Sequence, residues 1–167
     1  MNIVTSRLRI GDFTMDMAQR IHLLSLDDDT RRFVPDEVFE TVEEAAETIG
    51  FLMEGAASGE GPQVCPILRD ETVIGYVQAS PLEESGWEIG YHIGKAETRK
   101  GYATEAVRAF LPVILPRLHQ TTMEGICVAE NIASRKVLER CGFRLLYEGE
   151  GLYQGEKRTI CRYRYTL

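Results

Sequence analysis

The chain has 167 residues, enough for one domain with its own core, and its 44% apolar and 27% charged content is ordinary for a globular protein. With 19 basic against 26 acidic residues the net charge is −7, so there is no basic excess to neutralise phosphates and no nucleic-acid partner is expected. No apolar run reaches membrane-span length, MNIVTSRLRI lacks a signal peptide's apolar middle, and Cys65, Cys127, Cys141, Cys161 and the three histidines are scattered, so the expectation is a cytoplasmic protein with reduced cysteines, no metal site and no membrane partner.

In chain order, Ile3 to Ile10 reads as a first strand and Phe13 to Leu26 as a helix with Met17, Ile21 and Leu24 on one side. DDDTRRFVPDE reads as a polar connection. Thr41 is an N-cap with Glu44 three residues on, a capping box, and the helix behind it runs to the glycine-rich ASGEGP. Val64 to Leu68 and Val73 to Ala79 form a hairpin around RDET. Trp87, Ile89, Tyr91 and Ile93 alternate with Glu88, Gly90 and His92, a strand period. A helix begins at Tyr102 or Ala103, and Pro112 is expected to kink or end it. Met123 to Val128 is a strand, and Asn131 to Cys141 a short helix capped by Asn131 and closed by Gly142. Phe143 to Tyr147 and Arg158 to Tyr165 close the chain as strands around a loop, EGEGLYQGE. The order indicates an α/β (α+β) fold with a mixed, largely antiparallel sheet.

Two of these helices start in a way that suggests a ligand. The first turn of a helix leaves N–H groups without partners and carries partial positive charge. In ETRKGYATEA, Gly101 and Ala103 let a phosphate approach the backbone closely, and Arg99 and Lys100 add charge. On that segment alone, a turn that binds nothing fits equally well. In VAENIASRKVLERCGF a second strand leads into a second helix, with Asn131 and Ser134 at its start. Two such strands could open a cleft for a long ligand with a phosphate at one end.

Together RKGYATEA and NIASRKVLERCGF resemble the GNAT superfamily of N-acetyltransferases, and more closely its RimJ/RimL-like branch. TSRLRI, TVIGYVQA and WEIGYHI are similar to that branch's opening and central strands, so the resemblance covers nearly the whole chain as a single domain, 1–167. The superfamily's cofactor motif is Gln or Arg, two residues, Gly, one residue, then Gly or Ala. Gly101 and Ala103 match it, while Thr98 stands at the Gln/Arg position and Arg99 where the branch often has Gly.

The resemblance implies a central sheet flanked by helices, with a cofactor cleft between two splayed central strands. It implies direct attack of a neutral amine on acetyl-CoA as co-substrate, without an acetyl-enzyme. Tyr91, His92 and Ile93 would then pair with the pantetheine arm and supply an oxyanion-binding N–H. Arg99, Lys100, Gly101, Tyr102, Ala103 and Thr104 would hold the pyrophosphate, and Asn131 would contact the pantetheine. Glu88 is the first candidate for the base, against a purely structural role, and His92 lines the cleft. Ser134 is the candidate acid near the thiol, with Tyr153 as an alternative.

The acceptor implied is a primary amine, foremost a protein N-terminus of ribosomal-protein type. Alternatives are a small-molecule amine of polyamine or aminoglycoside kind, another acyl donor, or a non-catalytic acyl-CoA-binding module. By family analogy the late strands could support a homodimer. Acceptor choice should rest on the first two helices and DDDTRRFVPDE, with EGEGLYQGE opposite.

Overall fold

The computed structural model describes residues 1–58, 61–84 and 86–167. Its centre is an eight-stranded sheet in the order β1-β2-β3-β4-β5-β6-β8-β7. The strands are β1 (Ile3–Val4), β2 (Arg9–Ile10), β3 (Gln63–Arg69), β4 (Thr72–Pro81), β5 (Trp87–Ile93), β6 (Thr122–Val128), β7 (Arg144–Tyr153) and β8 (Glu156–Thr166). The helices are α1 (Ala18–Ser25), α2 (Asp28–Phe33), α3 (Val42–Ser58), α4 (Tyr102–Arg117) and α5 (Ile132–Arg140). Every strand pair is antiparallel except β5–β6.

The sheet's two faces bury separate cores. Ile21 and Leu24 of α1 and Ala45 and Ile49 of α3 pack on Leu68, Val73 and Tyr76. Val107, Phe110 and Ile114 of α4 and Leu138 of α5 pack on the opposite side against Val77, Ile89, Met123 and Tyr163. Side chains alternate along a strand, so Glu88, Gly90 and His92 look toward the α1–α3 side, and Ile89 and Tyr91 toward α4 and α5.

The predicted hairpin turn, β5, β6 and the two later helices stand where the sequence put them. Asp70 and Glu71 both take positive φ (47° and 60°), the conformation of a two-residue hairpin turn. Thr41 Oγ1 accepts from the Glu44 N–H at 3.2 Å, while Glu44 reaches back to the N–H of Glu40 at 2.7 Å, one residue beyond the cap. Of the glycine-rich stretch that ends α3, residues 59 and 60 lie outside the described residues.

Four expectations need correction. Ile3 to Ile10 is not one strand but a small hairpin, turned where the Thr5 hydroxyl accepts from the Leu8 N–H at 2.9 Å. DDDTRRFVPDE is not irregular: Asp27 Oδ1 accepts from the N–H groups of Asp29 and Thr30 at 3.0 and 3.1 Å, which starts α2, and Pro35–Glu37 adds a 3-10 turn. Helix α4 does not end at Pro112 but runs through it and Pro116 to Arg117. Both prolines lie on its exposed side, and full burial of Phe110, Leu111, Ile114 and Leu115 at about 1.5–3 kcal/mol each offsets a penalty of about 3 kcal/mol for each proline. Finally, EGEGLYQGE is strand rather than loop. Gly149 and Gly151 sit opposite Ile160 and Arg158, and the turn is Gln154–Gly155 alone.

Candidate active site

The parallel strands β5 and β6 pair at Glu88↔Glu124 and diverge beyond it. Their open ends lead to the starts of α4 and α5, so a wedge in the sheet points at two helix N-termini. Ligands of such sheets bind in the crevice at the carboxyl ends of parallel strands.

At the α4 start, Gly101 is the N-cap with φ 84°, and among the described residues no side chain caps the N–H groups behind it. Arg99 is also left-handed, with φ 63°. The loop is therefore folded back on itself, and the first-turn N–H groups of Tyr102, Ala103 and Thr104 remain available to an anion. A Cβ at Gly101 would meet nothing closer than Arg7 Nη2 at 3.5 Å, so the space in front of the turn is open. These are the features that a pyrophosphate requires.

The charges around this turn differ from the sequence reading. Lys100 Nζ donates to Ala96 O at 2.9 Å and to Glu97 Oε2 at 3.0 Å, so its ammonium is spent locally. Tyr102 is buried, with its hydroxyl accepting from Arg69 at 3.2 Å, which leaves its backbone for a ligand. Arg7, which the sequence reading missed, donates to Lys100 O at 3.0 Å and pairs with Glu105 in the first turn of α4. Thr5 Oγ1 also donates to Glu105 at 2.6 Å, so TSRL anchors the helix start. A groove of about 580 Å³ continues from Gly101 past Thr104 and Arg108 to Arg140.

At the α5 start, Asn131 Oδ1 accepts from the Ser134 N–H at 3.1 Å. The cap uses the oxygen and leaves the Nδ2 donors. Across the wedge, Tyr91 Oη donates to the Ser134 carbonyl at 3.0 Å and lies 2.9 Å from Ser134 Oγ. Burial pushes the Tyr91 hydroxyl far above its usual range and the Cys127 thiol up to about 12. Neither ionises at neutral pH, and Cys127 is no ready nucleophile. Ile93 packs half-buried against the α4 core.

Glu88 occupies the closed end of the wedge. Burial pushes its carboxyl up to about 7, opposed by a hydrogen bond from the Ile126 backbone and reinforced by Glu124 and Glu37. A carboxyl poised near neutrality can take a proton from an amine. The side chain of His92, four residues on, is buried and stacks on Tyr76 with ring centroids 5.3 Å apart. Thr30 Oγ1 donates to Asp27 Oδ2 at 2.6 Å, so His92 Nε2, 2.8 Å from that oxygen, is the donor to it. The side chain of His92 thus faces α2, and only its backbone shares the Tyr91–Ile93 edge. Burial lowers its basicity, partly restored by Asp27.

One residue on this face gave no signal in the sequence. Glu37, in the 3-10 turn, accepts from the Tyr76 hydroxyl and from Gln78 Nε2 at 3.0 Å, and burial raises its pKa. Tyr153 closes in from the other side, with Glu88, Glu37 and Asp36 bearing on its hydroxyl. Gln154 at the hairpin tip donates to Asp36, so the two segments expected to govern acceptor choice meet over this face. A cavity of about 260 Å³ lies between them, lined by Arg31, Arg32, Phe33, Tyr153 and Arg158.

Comparison with known proteins agrees with this geometry. Residues 7–144 match the acetyltransferase (GNAT) domain family. The chain belongs to the GNAT family. This GNAT acetyltransferase is 30% identical over 146 residues to the uncharacterized N-acetyltransferase YnaD of Bacillus subtilis (strain 168), covering 86% of this chain and 83% of that protein. Its fold matches an acetyltransferase (GNAT family) from Bacillus anthracis with TM-score 0.84 and 23% identity, over 99% of this chain and 98% of that one. It matches RimL, a ribosomal L7/L12 α-N-protein acetyltransferase in complex with coenzyme A, with TM-score 0.84 and 17% identity, over 98% of this chain and 96% of that one. The protein is therefore an acetyl-transferring enzyme on a mixed α/β fold of GNAT type.

Proposed function

We propose that this enzyme transfers acetyl from acetyl-CoA to a primary amine by direct attack, with a protein N-terminus as the first acceptor class to test. The observation that carries this reading is the β5–β6 wedge, closed at Glu88 and opening onto the uncapped first turn of α4. The RimL neighbour acts on a protein N-terminus and binds coenzyme A by its own description, and it shares the fold.

Acetyl-CoA supplies the activated acyl group. Backbone N–H groups of Tyr102, Ala103 and Thr104, with Gly101 at the turn and Arg99 beside it, hold the pyrophosphate. The edge Tyr91–Ile93 and Asn131 Nδ2 hold the pantetheine. Glu88 takes the proton that leaves the amine nitrogen and yields it to water, and Ser134 Oγ, turning its proton from Tyr91 Oη to the departing sulfur, is reprotonated from water. A carbon–nitrogen bond replaces a carbon–sulfur bond, and one proton moves from nitrogen to sulfur overall.

The test is calorimetric titration with acetyl-CoA, desulfo-CoA and ATP, followed by thiol release with an amine panel. Binding of both CoA species well above ATP, with amine-dependent release, is the expected result. CoA binding with no release for any amine would turn the reading toward an acyl-CoA-binding module.

A further inference from the structure

The face of the sheet in front of Glu88 is a set of acceptors that lacks a cation. Glu37 has only neutral donors, the Tyr76 hydroxyl and the Gln78 amide, and among the described residues neither Glu37 nor Glu88 is ion-paired. Arg162 bears on Glu88 but is held by Glu124 at 3.2 Å. His92 stands farther along the same strand face: Nε2 is spent on Thr30, and among the described residues Nδ1 is buried without a hydrogen-bond partner. The arginines at the mouth are matched by carboxylates, Arg31 with Glu40, Arg32 with Glu130 and Arg158 with Glu156, so the negative charge is concentrated on the floor.

The arrangement is built rather than incidental. Gln78 lies across β5 at Gly90, where a Cβ would come within 2.6 Å of its Nε2. Only glycine at position 90 allows that amide to lie flat and reach Glu37. The Glu37 carboxylate is thereby set beside Gly90, one side-chain repeat along β5 from Glu88. Two residues of strand span about 6–7 Å.

Resting on the transferase reading above, we infer that the acceptor carries a second cationic nitrogen, which Glu37 holds while the reacting nitrogen lies at Glu88. Glu88 already takes the proton of the reacting nitrogen, and Glu37, held as an acceptor by Tyr76 and Gln78, serves a different atom of the acceptor. The spacing matches a small α,ω-diamine with about four carbons between its nitrogens. Tyr76 and Gln78 keep the Glu37 carboxylate in place through their hydrogen bonds, and the His92 ring buttresses Tyr76 by stacking.

The test is calorimetric binding of 1,4-diaminobutane and 1-aminobutane to the full chain saturated with desulfo-CoA. Wild type is expected to bind the diamine at least about ten-fold more tightly than the monoamine, and Glu37→Gln to erase that difference while keeping its CoA affinity. Equal affinity of the two amines, no binding of the diamine, or a preference that survives in a CoA-binding Glu37→Gln protein would overturn the inference. The wild-type comparison stands even if the variant does not fold. Thiol release is measured separately: diamine binding without release would sink the transferase reading alone, and equal turnover of both amines at equal affinity would sink this inference alone.

Discussion

Tyr91 on β5 and Ser134 on α5 meet across the wedge, with the Tyr91 hydroxyl donating to the Ser134 carbonyl at 3.0 Å and lying 2.9 Å from Ser134 Oγ. The contact fixes a hydroxyl between strands that otherwise diverge. Ser134→Ala is expected to lower kcat by roughly ten-fold or more while leaving acetyl-CoA affinity within about two-fold. Steady-state thiol release and calorimetry on the same preparation check both halves.

Glu88 acts as base in its ionised form, and burial holds its pKa at about 7. The rate at saturating acetyl-CoA should therefore rise with pH through that value and level off above it. Glu88→Gln should cost about 10²–10⁴ in kcat and remove that limb. A variant with wild-type rate, or with the same limb, would show that Glu88 is structural.

The same carboxyl affects stability, with a definite sign. Its folded pKa lies above the unfolded value, so the folded state holds the proton more tightly, and stability falls as pH rises from about 4.5 toward about 7. Glu88→Gln should be more stable than wild type at pH 8 by up to about 3 kcal/mol, with the gap closing toward pH 4.5. Thermal melts across that range measure it; a constant gap would exclude a titrating group.

Gly101 adopts φ 84° with open space in front of it. Gly101→Val should cost about 1–3 kcal/mol of stability through backbone strain. It should also weaken acetyl-CoA binding by at least about ten-fold in protein that remains folded. Unchanged affinity in a folded variant would move the pyrophosphate site elsewhere.

What the sequence disclosed follows from how local each signal is. The alternation of Trp87 to Ile93, the Asn131 cap and the Gly101 helix start depend on neighbouring residues, and the structure has all three. Helix α4 crossing two prolines depended on burial of Phe110 and Ile114 against distant strands, which no local rule contains. Lys100 and Tyr102 look like ligand groups by position, yet Glu97 and Arg69 claim their side chains. Glu37 gave no signal because its partners, Tyr76 and Gln78, arrive from a strand about forty residues away. Its place beside Glu88 exists only after β4 and β5 pair. Asp27 read as the start of a polar connection, although its spacing to Thr30 is that of an N-cap, which could have announced α2.

The central claim is direct acetyl transfer from acetyl-CoA to an amine, and labelled transfer tests it most directly. Acetyl-CoA carrying a carbon-13 carbonyl is incubated with the full chain and an amine panel that includes N-terminal peptides and diamines, and both products and protein are examined by mass spectrometry. The account predicts label on an amine nitrogen, none on the protein after quenching, and loss of transfer in Glu88→Gln. Label trapped on Cys127 or another side chain, or intact acetyl-CoA with every amine, would contradict it.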